Sequence, residues 1–176
     1  LVVVGSHTKM TTSQLEELMQ LPCVVPIQFN SDLVLQGDEV FYAEVDRCVA
    51  LEEEAIRSGK VAVCYTSRTL LTVENDTPES ALLRSVKISE GVQSLVGRLK
   101  VTPAFIIAKG GITSSTVGTE ALGVKKANVL GQICPGIPVW QTDSTSKFPK
   151  IPYVIFPGNV GDTDTLRRAV EVLTEA

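Results

Sequence analysis

The sequence predicts an α/β domain built on a mostly parallel sheet with helices on both faces. Three observations carry this. Short Val- and Ile-rich runs bounded by Gly, Pro, Ser or Asn recur from end to end, and several lack polar alternation, the pattern of strands covered on both faces. Segments of helical length with apolar residues at 3.6-residue spacing separate most of these runs; strand–helix–strand succession with right-handed crossovers is a Rossmann-like arrangement. The runs Asn128 to Ile133 and Ile137 to Gln141 are parted only by Cys134-Pro135-Gly136. That spacer is too short for a crossover helix and suits a turn, so a local antiparallel pair is expected across 128–141.

The elements follow in order. Leu1 to Val4 reads as the first strand, and Thr11-x-x-Gln14 as a capping box opening a helix through Met19. Val24 to Phe29 is the second strand, followed by a helix whose stripe is Phe41, Val45, Cys48, Val49 and Ile56. After the strand Val61 to Tyr65, Thr77 before Pro78 starts a helix carrying Leu82, Val86, Leu95 and Leu99. Ala104 to Ala108 is a strand that runs into Lys109-Gly110-Gly111-Ile112-Thr113-Ser114-Ser115, which opens a helix ending at Gly123. Beyond the antiparallel pair, Thr142 to Lys150 is polar and aperiodic and is expected to be an exposed loop. Tyr153 to Phe156 is the last strand, and Asp162 is expected to cap a final helix with Leu166, Val170 and Leu173 on its buried side. Periodicity does not carry the order of strands in the sheet.

Composition limits the function. The 176 residues make one domain, 1–176, and 44% apolar content supports a full core. Sixteen basic against twenty acidic residues leave a net charge of −4, which repels phosphate backbones and argues against a nucleic-acid partner. No apolar run approaches the roughly 18–20 residues that span a bilayer, so no membrane association is expected. Leu1 already stands inside a strand, and the chain reads as cut from a longer one. Cys23, Cys48, Cys64 and Cys134 lack C-x-x-C spacing and sit beside apolar residues, which points to a reducing cytoplasm and no structural zinc. With His7 as the single histidine, a multi-histidine metal site is excluded.

Ligands of open α/β sheets bind beyond the carboxyl ends of the strands, so the loops after strands are the candidate sites. In the loop Lys109 to Ser115, Gly110 and Gly111 let backbone approach a ligand closely, and the helix that follows offers unpaired N–H groups at its positive end. The spacing matches neither G-x-x-x-x-G-K-[ST] nor G-x-G-x-x-G. A phosphate cradle and a plain strand-to-helix turn capped by Thr113 or Ser114 fit these residues equally well. Pro157-Gly158-Asn159-Val160-Gly161-Asp162 is another glycine loop between strand and helix, and Gly5-Ser6-His7-Thr8-Lys9-Met10-Thr11 a polar loop after the first strand. Three such loops on one sheet edge suggest one shared ligand of nucleotide size. Lys109, beside the glycine pair, is the better-placed cation; Arg68, His7 and Lys9 read as solvated loop residues.

The ordered combination of Val3-Val4-Gly5-Ser6 with Thr11 and Gln14, Lys109 to Ser115, Val129 to Pro138, and Phe156 to Asp162 resembles the four-carbon acid sugar kinase family, specifically its C-terminal nucleotide-binding domain. The resemblance implies a two-lobed kinase in which an N-terminal domain holds a four-carbon sugar acid such as threonate, erythronate or 3-oxo-tetronate, and this domain holds ATP with Mg²⁺. It implies nucleotide contacts at Ser6, Gly110, Gly111, Ile112, Thr113 and Gly158, with Lys109, Ser114 and Asn159 beside them; it supplies no catalytic residue. Many relatives carry an acidic residue where this chain has Ile112. The Lys-Gly-Gly-Ile-Thr-Ser-Ser form is similar to relatives fused to a dehydrogenase and an aldolase. A non-catalytic regulatory domain for a nucleotide or phosphorylated metabolite is the alternative, and a homo-oligomer is compatible with either.

Overall fold

In the computed structural model, which describes residues 1–175, a seven-stranded sheet carries five α-helices. The elements are β1 (Val2–Val4), α1 (Lys9–Leu18), β2 (Val24–Phe29), α2 (Asp38–Arg57), β3 (Val61–Thr66), α3 (Pro78–Gly97), β4 (Ile106–Lys109), α4 (Gly111–Thr116), β5 (Asn128–Cys134), β6 (Ile137–Gln141), β7 (Pro152–Phe156) and α5 (Thr165–Glu175). A 3-10 turn, Ser31–Gln36, precedes α2, and a π turn, Val117–Ala121, extends α4. The strand order is β2-β3-β1-β4-β7-β6-β5. Strands β2, β3, β1, β4 and β7 run parallel, whereas β5–β6 and β6–β7 are antiparallel. The expected class and the antiparallel pair across 128–141 are both present.

The sheet separates two apolar cores. On one face α2, α3 and the π turn pack Phe41, Val45, Cys48, Leu95, Val117 and Leu122 onto Phe29, Cys64 and Tyr153. On the other, α1 and α5 pack Leu15, Leu18, Leu166 and Val170 onto Val2, Val63, Val154 and Phe156. Successive side chains of a strand point to opposite faces, so the unbroken apolar runs of β1, β3 and β4 feed both cores at once.

This layering fixes the site. The connection after β1 leaves by α1 on one face and that after β4 by α4 on the other, so β1 and β4 flank the point where the winding reverses, where open sheets leave a ligand crevice.

Four local expectations need correction. Helix α1 begins at Lys9 under the cap of Thr8, whose hydroxyl accepts from Thr11 N–H, so Thr11 and Gln14 lie inside the helix and form no capping box. Helix α5 begins at Thr165, whose hydroxyl accepts from Asp162 N–H; Asp162 therefore precedes the helix and does not cap it. On α3 the buried side is Gly91, Val92, Leu95 and Val96, while Leu82 and Val86 face outward. The stretch Thr142 to Lys150 is not simply exposed: Thr142, Ser146 and Phe148 are buried, and Thr142 Oγ1 donates to Phe148 O at 2.6 Å. Asp143 accepts the N–H groups of Lys125, Lys126 and Thr145, which holds its carboxyl far below the usual range.

Candidate functional site

The loops after β1, β4 and β7 meet at the reversal point, because those three strands are neighbours. Backbone bonds tie their roots: Gly5 N–H donates to Lys109 O at 3.1 Å and Gly110 N–H to Phe156 O at 2.8 Å. Only a residue without Cβ fits at the first turn, since a Cβ on Gly5 would stand 2.1 Å from Thr113 Oγ1. Gly110 has φ +122° and ψ 147°, a region closed to other residues, and it turns the chain from β4 into α4.

Ser6 is the meeting point. A Cβ on Gly110 would lie 3.3 Å from Ser6 N, and one on Gly158 would lie 3.1 Å from Ser6 Oγ. Thr11 Oγ1 lies 2.9 Å from Ser6 Oγ, and Thr8 Oγ1 donates to Gly158 O at 2.9 Å. The buried Gln14 extends this stitching, its Nε2 donating to Val160 O at 3.1 Å and Asp162 O at 2.9 Å. Helix α1 thus holds the last glycine loop against the first through the capping hydroxyl of Thr8 and the buried side chains of Thr11 and Gln14.

The second loop faces the opening. The first bond of the helical ladder runs from Ser114 N–H to Gly110 O, so the N–H groups of Gly111, Ile112 and Thr113 stand ahead of it. Gly111 is exposed, and a Cβ built on it meets nothing within 4 Å. Gly110 and Ser114 have already committed their N–H groups, which leaves 111–113 as the available donors. Ser114 is buried, with its hydroxyl on Gly111 O at 3.1 Å, and its carbonyl accepts from Tyr153 OH. Ile112 is 71% exposed and Asn159 is exposed, both on the solvent side of their loops.

The cations are placed differently from expectation. Lys109 is fully buried: Nζ donates to Pro157 O at 2.7 Å and sits 4.5 Å from the centre of the Phe156 ring, and burial, then Arg68, lowers its pKa to about 8. It braces the root of the third loop and does not reach into the opening. Arg68 is not a solvated loop residue; it donates to Ser6 O at 2.7 Å and to Thr12 Oγ1 at 2.9 Å, which puts a guanidinium against the first loop. His7 Nε2 lies 3.4 Å from Thr66 Oγ1, and burial, then Arg68, lowers its pKa below the ordinary imidazole value. The site around Ser6 is electropositive, built from N–H donors and Arg68.

Sequence reasoning missed Arg68, Thr8 and Gln14 as parts of this site. Arg68 had one available signal, its place directly after β3 at the same sheet edge. The roles of Thr8 and Gln14 depend on contacts spanning about 150 positions.

An electropositive loop cluster at the switch point of a doubly wound sheet defines a nucleotide-binding domain. The comparison with known families agrees. Residues 1–166 match the nucleotide-binding C-terminal domain model, and the chain belongs to that family, the C-terminal lobe of the DUF1537, or four-carbon acid sugar kinase, proteins. No functionally curated protein matches the chain by sequence.

Solved structures are similar in fold. A DUF1537 protein from Bordetella bronchiseptica, crystallised with bound citrate as a domain-swapped dimer, has a TM-score of 0.72 at 20% identity over 99% of this chain and 41% of its own. A protein from Salmonella typhimurium LT2 has a TM-score of 0.74 at 21% identity over 96% of this chain and 39% of its own. A DUF1537 protein from Haemophilus influenzae has a TM-score of 0.70 at 18% identity over 98% of this chain and 40% of its own. The chain therefore spans about two fifths of the length of these relatives.

Proposed function

We propose that this chain is the ATP-binding lobe of a kinase that transfers the γ-phosphate of ATP to a four-carbon sugar acid, the acid being held by a second domain. The observation that carries the reading is the exposed backbone of Gly111. It stands at the switch point with the N–H groups of 111–113 ahead of the helical ladder, directly after Gly110, which meets Ser6, which in turn meets Gly158. Phosphoryl transfer depends on positioning and on neutralising phosphate charge, and N–H donors with a nearby guanidinium supply both. Ser6, Gly110 to Thr113 and Gly158 are the proposed contacts; Asn159 borders them, while Lys109 and Ser114 shape the loops from below.

Mg²⁺ enters as the counter-ion of the nucleotide. The three loops offer hydroxyls and N–H groups, with Asp162 at the end of the third as their one carboxylate and Ile112 bringing none, a donor set suited to a cation carried by phosphates rather than to a protein cage. When bound, the ion adds charge neutralisation at the phosphates; orienting them remains the work of the loops. The base that takes a proton from the acceptor hydroxyl is assigned to the sugar-acid domain.

Calorimetric titration with ADP and ATP, with and without Mg²⁺ and with a sugar acid as control, tests this. Saturable nucleotide binding that Gly111→Val abolishes in a folded protein, without sugar-acid binding or turnover, is the expected result. Phosphorylation of a sugar acid by this domain alone overturns the division of labour.

A further inference from the structure

We propose that the cavity between the second loop and α3 receives the nucleoside end of the bound nucleotide, an uncharged aromatic base with its ribose. This rests on the nucleotide-lobe reading above and deepens it by assigning the two ends of the ligand to different walls of the site. The cavity measures about 390 Å³, inside the roughly 300–1,000 Å³ range of small-ligand sites, and it shares Gly5, Ile112 and Thr113 with the loop cluster. Ile112 and Thr113, which follow Gly111 in the chain, line it, so a ligand anchored at Gly111 starts at its edge.

Its lining has the chemistry of a base site. One stripe of α3, including Ala81, Ser85, Ile88 and Val92 at helical spacing, forms one side. Leu70 and Ile112 also line it while remaining 74% and 71% exposed, large apolar side chains left in water beside an open cavity. Such side chains suit the faces of a flat ring.

Charge separates the two ends of the ligand. The charged residues lining the cavity are Asp32, Asp76, Arg84 and the titratable His7. Arg84 is paired with Asp76 and His7 is held toward its neutral form, which leaves the cavity no unpaired cation of its own; Asp32 adds a carboxylate that also borders the adjoining depression with Arg47 and Arg68. A phosphate or a sugar-acid carboxylate finds no free cation there, whereas Arg68 and the N–H groups of 111–113 offer it donors. A neutral base with ribose hydroxyls is tolerated, and Asp32 can accept from a hydroxyl or an exocyclic amine.

The test fills the cavity from a position that costs the fold little. Ser85 is exposed on α3, so Ser85→Phe adds a ring in the cavity without opening the core, and Ser85→Ala is its control. ADP and inorganic tripolyphosphate are titrated into wild type, both Ser85 variants, Ala81→Phe as a second filling variant, and Gly111→Val, with thermal unfolding confirming the fold. Ser85→Phe and Ala81→Phe are expected to weaken ADP at least tenfold and change tripolyphosphate less than twofold. Ser85→Ala should resemble wild type, and Gly111→Val should lose both ligands. Wild-type ADP affinity in the folded filling variants overturns the base assignment and leaves the nucleotide lobe standing. A folded wild type that binds no ADP overturns both.

Discussion

Neighbouring glycines of the second loop should respond to alanine with opposite signs. Gly110 has φ +122° and ψ 147°, and a Cβ there would lie 3.3 Å from Ser6 N and 3.3 Å from Thr113 Oγ1. Holding a residue with a Cβ in that region costs about 1–3 kcal/mol before any crowding is counted. For a domain of this size each kcal/mol moves Tm by about 2–4 °C, so Gly110→Ala should lower Tm by about 2–12 °C. Gly111 is in helical conformation with open space where a Cβ would go. Gly111→Ala should therefore stabilise by about 0.4–1 kcal/mol through the unfolded chain, raising Tm by about 1–4 °C. Circular dichroism melts read the stability, and ADP titration of the same samples reads the site. Gly111→Ala should lose affinity while gaining stability, because its methyl group enters the space left for the ligand. A destabilised Gly111→Ala, or a Gly110→Ala as stable as wild type, refutes the reasoning from loop geometry.

Lys109 and Gln14 give further tests. The Lys109 amine titrates near 8 in the fold against 10.5 when free, so the cost of burying its charge is fully present below pH 8 and is relieved as pH rises toward 10.5. The stability of wild type measured against Lys109→Met should accordingly climb across that window, by at most about 3 kcal/mol at 1.36 kcal/mol per unit; a flat difference by denaturant titration contradicts it. Gln14→Leu leaves the carbonyls of Val160 and Asp162 without their donor and should cost about 1–3 kcal/mol. Hydrogen exchange around 158–162 should speed up more than in β4, and uniform change along the chain would show that Gln14 is not a loop clamp.

The legible part of the fold was the part written locally. Apolar runs located all seven strands, and the Cys134-Pro135-Gly136 spacer located the antiparallel pair, since side-chain period and turn chemistry act over a few residues. The phase of α3 was misread at Leu82 and Val86 because an apolar residue announces burial only where something covers it, and none of the described residues does so here. Thr11 and Gln14 carry the spacing of a capping box, yet both are consumed by tertiary contacts with the third loop and Ser6. The glycine loops were visible as candidates, but their convergence depended on β1, β4 and β7 being adjacent. Lys109 shows the same limit from the other side: its position beside two glycines is local, whereas the burial that turns its amine onto Pro157 O is not.

The sheet separates the two apolar cores, and the loop cluster joins elements of both layers. The second loop leads into α4 and the α2–α3 layer, while Ser6 and Gly158 are stitched to α1 in the α1–α5 layer. A molecule gripped by all three loops is therefore a bolt through a laminate. The stability it adds to the fold, RT ln(1 + [L]/Kd), is shared by both helical layers, so occupancy stiffens even the faces it never touches.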